Sequence, residues 1–315
     1  MFYLILFLLS ICLTYTIKVI AEQKSIMDIP NDRSAHTRPT PRGGGLAIII
    51  IFYIGLFYLR DSVEPRLFYA LLFALPVAII GILDDFFTLS SKVRLLVQSI
   101  SAILALYFLG GVNEIDFGIF VFQGAWVNIL AFISILWVTN LYNFIDGIDG
   151  YAGSQALIIG LALFLLFSNP LGLVIVASSL GFLVFNWNRA SIFMGDVGSA
   201  TLGFIFAIFI FYDTSHGNIF IWLILLSLLW VDTTVTLIRR WRNGEAITQG
   251  HNKHAYQRLV QSGWSHSKVS LYALIFNMFF LILLLIQEHR SITLGVNLCI
   301  LTLIYIGIEH KKRFI

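Results

Sequence analysis

Residues 67–83 carry no charged side chain, and stretches of the same apolar character recur along the whole chain. A helix of roughly 17–25 apolar residues crosses the ~30 Å hydrocarbon layer of a bilayer. Inside lipid, every backbone amide must be satisfied within such a segment or within a closed barrel. Repetition of these stretches restricts the chain to a bundle of membrane-spanning helices. Charged residues make up only 12% of the sequence, about half the quarter found in soluble domains, which is too little polar surface to coat a water-soluble particle.

The fold class expected is therefore all-α: a polytopic integral membrane protein of about eleven transmembrane helices forming one domain over residues 1–315. Spans are expected near 1–21, 44–59, 67–83, 93–110, 126–143, 154–168, 171–186, 198–212, 219–238, 268–286 and 292–309. The seventh follows the sixth across a very short turn, SNP at 168–170. The first stretch lacks a basic leader and a small-residue cleavage site before Lys18, so it reads as a retained span and not a signal peptide. Cys12 and Cys299 both fall in apolar runs and read as buried apolar residues, with no disulfide framework.

Basic residues fix an orientation, because loops rich in Lys and Arg stay in the cytoplasm. One set of loops holds 17 of the 20 basic residues, leaving only Arg60, Arg66 and Arg290 opposite. The expected N-terminus is periplasmic and the C-terminus cytoplasmic, in a bacterial inner membrane. The Gly, His, Asn and Asp clusters share the basic side, in loops 22–44, 84–92, 143–153, 187–198 and 239–267. Chemistry is expected on the cytoplasmic face.

Each of these loops has a structural and a chemical reading. RSAHTRPTPRGGG (33–45) cannot continue a helix, and glycines flanked by Arg33, Arg38 and Arg42 can turn backbone N–H groups toward phosphate. A basic membrane flank accounts for the same residues. GILDDFFTLSSKVR (81–94) ends a span on Asp84 and Asp85, where the helix dipole disfavours negative charge and the neighbouring carboxylates repel. A divalent cation or a mobile proton resolves both conflicts, with Lys92 and Arg94 at hand for a phosphate.

In NLYNFIDGIDG (140–150), Asn143, Asp146 and Asp149 share one side if the segment is helical. Such an acceptor-rich surface suits Mg²⁺ or ribose hydroxyls. Asp196, set between Gly195 and Gly198, reads either as the N-cap of the next helix or as a metal ligand. The last loop contains HNKHAYQ with His251 and His254, but no third ligand at zinc spacing. It fits recognition of an anionic, sugar-bearing ligand. Asp232 lies inside a span, where a charge is costly, with Arg239 and Arg240 two turns on as structural partners.

Together, the acids and basic residues on one face suit Mg²⁺ shared between carboxylates and substrate phosphates, and hence phosphoryl or phosphosugar transfer. In five ordered motifs (RSAHTRPTPRGGG, GILDDFFTLSSKVR, NLYNFIDGIDG, NWNRASIFMGDVGS and GHNKHAYQRLV) the sequence resembles the polyprenyl-phosphate N-acetylhexosamine-1-phosphate transferases, from about Asp28 to Lys268. These bacterial enzymes start cell-wall, enterobacterial-antigen and O-antigen assembly.

The resemblance implies transfer of a sugar-1-phosphate from a UDP-N-acetylhexosamine to undecaprenyl phosphate, releasing UMP, with Mg²⁺ (or Mn²⁺ in its place) as cofactor. It implies Asp196 and Asp84 as metal ligands. Asp84 and Asp85 form the catalytic pair, one of them deprotonating or orienting the lipid phosphate. Lys92, Arg42, Asn143, Asp146, Asp149 and Asn186 face the phosphates and the uridine, and His251 and His254 face the donor sugar. HNKHAYQRL departs from the three-histidine run of the peptidoglycan branch and the His-x-His of the broad GlcNAc branch. It looks like the O-antigen type, which leaves GlcNAc and 6-deoxy-HexNAc donors open.

A lipid transporter or a polyprenyl-binding scaffold is the alternative. A transporter calls for charges near the midplane and interrupted helices in corresponding positions of two repeats, and the sequence shows neither repeats nor midplane charges, its acids clustering at the cytoplasmic ends of spans. The expected partners are membrane lipid, the acceptor and the donor, not nucleic acid, and a homodimer is left open.

Overall fold

The computed structural model describes residues 1–31, 34–87, 89–117, 120–212, 219–246 and 250–314. Arg33, one of the arginines beside the glycine run, lies outside them. Helices dominate, in chain order α1 (Phe2–Gln23), α2 (Gly45–Tyr58), α3 (Pro65–Leu72), α4 (Ala74–Phe87), α5 (Ser91–Leu109), α6 (Trp126–Phe144) and α7 (Tyr151–Phe167). They continue with α8 (Leu171–Asn186), α9 (Asp196–Tyr212), α10 (Ile219–Leu225), α11 (Ser227–Arg242), α12 (Ala255–Gln261), α13 (His266–Ile286) and α14 (Arg290–Lys311).

Among the described residues, six segments are long and apolar enough to cross a membrane, counting α3 with α4, and α10 with α11 makes a seventh as a bent pair. The protein is thus a multi-pass membrane protein. The four remaining apolar helices, α2, α7, α8 and α9, have only 14–17 residues.

α9 occupies the centre. Every residue from Val197 to Phe211 is buried, so it is sheathed by other helices and need not match the thickness of the lipid. Small residues allow that sheath to close, as membrane helix packing requires. A Cβ at Gly81 would stand 2.7 Å from the backbone of Val197, so only glycine lets α4 lie against the start of α9.

The structure differs from expectation at four points. The chain is not purely helical: β1 (Met27–Asp28) pairs with β2 (Thr40–Pro41), and β3 (Glu114–Asp116) with β4 (Val121–Gln123), both antiparallel. Pro39 and Pro41 deny the first loop a helix, and a two-residue ladder holds it instead. Cys12 and Cys299 are exposed on the outside of the bundle and not buried, which costs little for a thiol facing an apolar medium. The span near 219–238 is broken at Leu226 by a bend of 71°, so interrupted helices do occur. Asp232, seated in the second half of that span, is buried, and it is not paired with the arginines two turns on. Arg239 bonds Glu309 at 2.8 Å and Arg240 bonds Glu245 at 3.1 Å. The carboxylate of Asp232 instead accepts from the Ala255 N–H (2.8 Å), the Tyr305 hydroxyl (2.7 Å) and Thr236 (3.2 Å). Nearby backbone and hydroxyl donors serve it, with the buried His254 Nδ1 3.6 Å away.

Candidate active site

The N-terminus of α9 is the point on which the sequence motifs converge. The first amides of a helix lack intrahelical acceptors and form the positive end of its dipole. Here the partner comes from another helix. The buried Asp85 carboxylate accepts the N–H groups of Asp196 (3.2 Å) and Val197 (3.3 Å). Asp85 therefore caps α9, the role the sequence leaves open for Asp196. Gly195, at φ 74°, makes the approach possible, since a Cβ there would lie 2.6 Å from Asp85 Oδ2.

Adjacent helical residues diverge by about 100°, so Asp84 points elsewhere. It accepts from Arg94 Nη1 at 2.7 Å and from the Leu89 N–H. The same Arg94 nitrogen donates to Asp196. One guanidinium thus bridges Asp84 and Asp196, residues far apart in sequence, and the repulsion between the paired aspartates is settled by two different partners. Arg94 is committed to carboxylates and is not free for a phosphate as the sequence suggests. Lys92 is exposed on the first turn of α5, with no ion pair among the described residues.

Asp146 and Asp149 do not share a helical face with Asn143, because α6 ends at Phe144 and residues 145–150 form turns before α7. The turn carries both carboxylates inward all the same. A cavity of about 210 Å³ is lined by Arg42, Asp85, Asp146, Asp149, Asn186 and Asp196, together with His36, Gln257 and His266. Asn143 donates to Ser199 Oγ at 3.0 Å. Asn186 is used structurally at both ends of its amide, accepting from Gly150 N–H (3.0 Å) and donating to the Ile192 carbonyl (2.9 Å). Arg42 donates to the main-chain carbonyl of Asp85, and its buried Nε has no partner. A wider cavity of about 590 Å³ adjoins, with Arg38, Arg189, Asn188 and Phe193 on its walls and His36, Asp149 and His266 shared between the two.

The two carboxylates of the turn differ sharply. Burial, then the nearby Asp196 and Asp85, push Asp146 well above the usual carboxylate range, and no cation pairs with it among the described residues. Burial also pushes Asp149 upward, but His266 (Nδ1 at 3.2 Å) and the Ala190 N–H (3.0 Å) outweigh it and hold the group below the ordinary value.

His251 and His254 line neither cavity. His254 caps α12, its ring lies on Phe144 and Tyr256, and its Nδ1 sits 3.6 Å from Asp232. Burial, followed by the charges of His254 and Arg240, drives His251 down to about 4, so it is neutral at physiological pH. Sequence reading missed His266, His36, Gln257 and the bridging role of Arg94. Asp149 and His266 are 117 residues apart, and no local spacing announces such a pair.

The donor set facing the cavity is oxygen-rich, which is the preference of Mg²⁺. Among the described residues, no three His, Cys, Asp or Glu side chains form a ready-made cage. Mg²⁺ is ordinarily held by one or two carboxylates and completed by substrate phosphates, so the fit rests on Asp196 and the uncompensated Asp146. The fold and the site together describe a multi-pass membrane protein with an acidic cavity and a polar vestibule beside it.

Comparison with known proteins is consistent with that class. Residues 67–213 match glycosyl transferase family 4. A Bacillus subtilis protein named as a probable undecaprenyl-phosphate N-acetylglucosaminyl 1-phosphate transferase is 30% identical, over 97% of this chain and 89% of its own length. An undecaprenyl-phosphate α-N-acetylglucosaminyl 1-phosphate transferase from Thermotoga maritima is 29% identical, over 93% and 92%. Its namesake from Escherichia coli K12 is 26% identical, over 82% and 76%. The chain belongs to the polyprenyl-phosphate N-acetylhexosamine-1-phosphate transferase family.

Proposed function

We propose that the protein transfers an N-acetylhexosamine-1-phosphate from a UDP-sugar to undecaprenyl phosphate, with release of UMP, at the cytoplasmic face of a bacterial inner membrane. The observation that carries this reading is the convergence of Asp85, Asp146, Asp149 and Asp196 on one cavity beside a vestibule bearing Arg38 and Arg189. Attack of one phosphate on another brings like charges together, so catalysis consists chiefly of alignment and charge neutralisation.

Asp196 and Asp146 would hold Mg²⁺, which supplies positive charge to the donor pyrophosphate. Of the aspartate pair, Asp85 lines the cavity and is the group to orient, and accept a proton from, the acceptor phosphate. Asp84 acts through Arg94, which holds Asp196 in place. All eleven apolar segments cross the membrane in this reading, with the site-bearing ends together on the cytoplasmic side.

The product is the first lipid-linked intermediate of O-antigen or another surface polysaccharide. The relatives' names favour GlcNAc as the sugar, whereas HNKHAYQRL favours the O-antigen branch with its 6-deoxy-HexNAc alternatives. The 71° break at Leu226 and the buried Asp232 are what a transporter would use. They support that second reading only if no donor turns over.

A membrane assay with undecaprenyl phosphate, Mg²⁺ and a panel of UDP-HexNAc donors tests the proposal by scoring UMP and the lipid product. UMP release that requires lipid, metal and donor establishes the reaction and identifies the sugar. Absence of turnover with every donor, in folded and membrane-inserted protein, contradicts it.

A further inference from the structure

On the far side of α12 from the acidic cavity, α11, α13 and α14 enclose a groove of about 560 Å³. Its walls are apolar over most of their length, with Val231, Leu259, Tyr272, Phe276, Ile304 and Ile308 among them. Outside the groove, α13 continues with exposed Ile282 and Leu285, as expected of a surface against lipid. The groove is therefore a slot between membrane helices and not a soluble docking face.

One end of the groove is charged. Trp264 lies there, with Lys268 Nζ 4.2 Å and Lys311 Nζ 4.5 Å from its ring centroid. Lys268 stands in the first turn of α13 and Lys311 ends α14. The two ammonium groups therefore meet at the shared end of two neighbouring helices. A lysine on an indole is a favourable contact, but two on the same ring repel each other. Neither is ion-paired among the described residues, and both are exposed. A Trp–Lys cluster at a helix end is what anchors a span at the membrane–water boundary, and basic pockets between helices at that level bind anionic lipid headgroups.

We propose that this groove is a binding site for an anionic glycerophospholipid of the bilayer. Its headgroup phosphate sits between Lys268 and Lys311, and an acyl chain lies along the groove between α11, α13 and α14. Charge complementarity at the mouth and apolar walls below it match an amphiphile of this kind. The occupant is not the reacting lipid. Tyr151 and Tyr256 stack at 5.1 Å, and the Tyr256 hydroxyl donates to the Phe144 carbonyl at 2.8 Å. This pair walls the groove from the turn that carries Asp146. The lipid would fasten α13 and α14 to α11, the second half of the broken span, where the protein offers few contacts of its own.

Native mass spectrometry of the full chain in neutral detergent tests the site, with phosphatidylglycerol, phosphatidylcholine and undecaprenyl phosphate as separate probes. The expected result is a phosphatidylglycerol adduct retained over phosphatidylcholine, and lost about tenfold or more in Lys268→Gln/Lys311→Gln. Brominated phosphatidylglycerol keeps the test independent of that variant's folding. It should quench the wild-type fluorescence by the share that Trp264→Phe lacks. Equal retention by wild type and double variant, or equal retention of phosphatidylcholine, overturns the proposal. So does one-for-one displacement of phosphatidylglycerol by undecaprenyl phosphate, or a dimer whose formation excludes the lipid.

Discussion

Two buried acidic regions of the molecule invite comparison. Around Asp232, the carboxylate meets several donors, the Ala255 amide, the Tyr305 hydroxyl and Thr236, with His254 Nδ1 3.6 Å away. Around Asp146, the nearest strong influences are other carboxylates, Asp196 and Asp85, and burial adds to the penalty. Both surroundings disfavour a charged carboxyl group: Asp232 is buried, and Asp146 is pushed well above the usual carboxylate range. The first is compensated by the fold itself and holds α11, α12 and α14 together. The second gathers Asp85, Asp146, Asp149 and Asp196 around the single arginine Arg42, and the proposed Mg²⁺ and pyrophosphate would complete it.

The comparison is sharpened first by removing a cavity carboxylate. Asp196→Asn is expected to lower UMP release by about 10²–10³-fold or more, in protein whose thermal unfolding is close to wild type. Activity retained within a few-fold would mean that the cavity is acidic for structural reasons. One step out from the cavity, Asp84→Asn frees Arg94 from one of its two carboxylates. A loss of about 10–100-fold is expected, with a higher Mg²⁺ concentration needed for half-maximal rate, as for a residue that orients a ligand of the metal. An unchanged Mg²⁺ requirement would remove Asp84 from the positioning role.

The Asp232 region should respond in the opposite sense. Asp232→Asn leaves donors from Ala255 and Tyr305 facing a weaker acceptor, and a stability loss of about 1–3 kcal/mol is expected. Turnover in the protein that remains folded should stay near wild type. A selective loss of turnover at unchanged stability would move Asp232 into the machinery.

The smallest effect concerns pH. The folded-state value of Asp146 is raised above its unfolded value, so the native state binds the extra proton and stability falls as pH rises from the ordinary carboxylate range through the folded value. Asp146→Asn removes that penalty. Without divalent cation at neutral pH, the variant should unfold a few degrees above wild type, and the gain should vanish in acid. Asp149 carries the opposite sign. Its value is lowered, so its contribution is intact at neutral pH and is lost only as pH falls through that lowered value.

Much of the fold was legible because lipid imposes a simple length rule. The apolar segment expected at 171–186 is α8 residue for residue, although at 16 residues that helix is shorter than a span needs, and the segment expected at 126–143 falls one residue short of α6. The break at Leu226 was not legible, because neither proline nor glycine marks it. The site was legible as a set of acids and only partly as an arrangement. Asp85, Asp146, Asp149 and Asp196 do meet, but the separation of Asp84 from Asp85 follows from partners more than a hundred residues away or across a turn. The capping of α9 by Asp85 and the Asp149–His266 pair are long-range contacts of that kind. His251 and His254 were read from their neighbourhood in sequence, whereas the structure sets His254 beside Asp232 and His251 against the His254 ring.

The most direct test of the central claim is thermal unfolding of wild type, Asp146→Asn and Asp232→Asn, each with and without Mg²⁺ and a UDP-HexNAc donor. A cavity left incomplete for a metal and a pyrophosphate predicts that Mg²⁺ with donor stabilises wild type and Asp232→Asn alike, and fails to stabilise Asp146→Asn. Equal stabilisation of all three proteins, or of none, would contradict it.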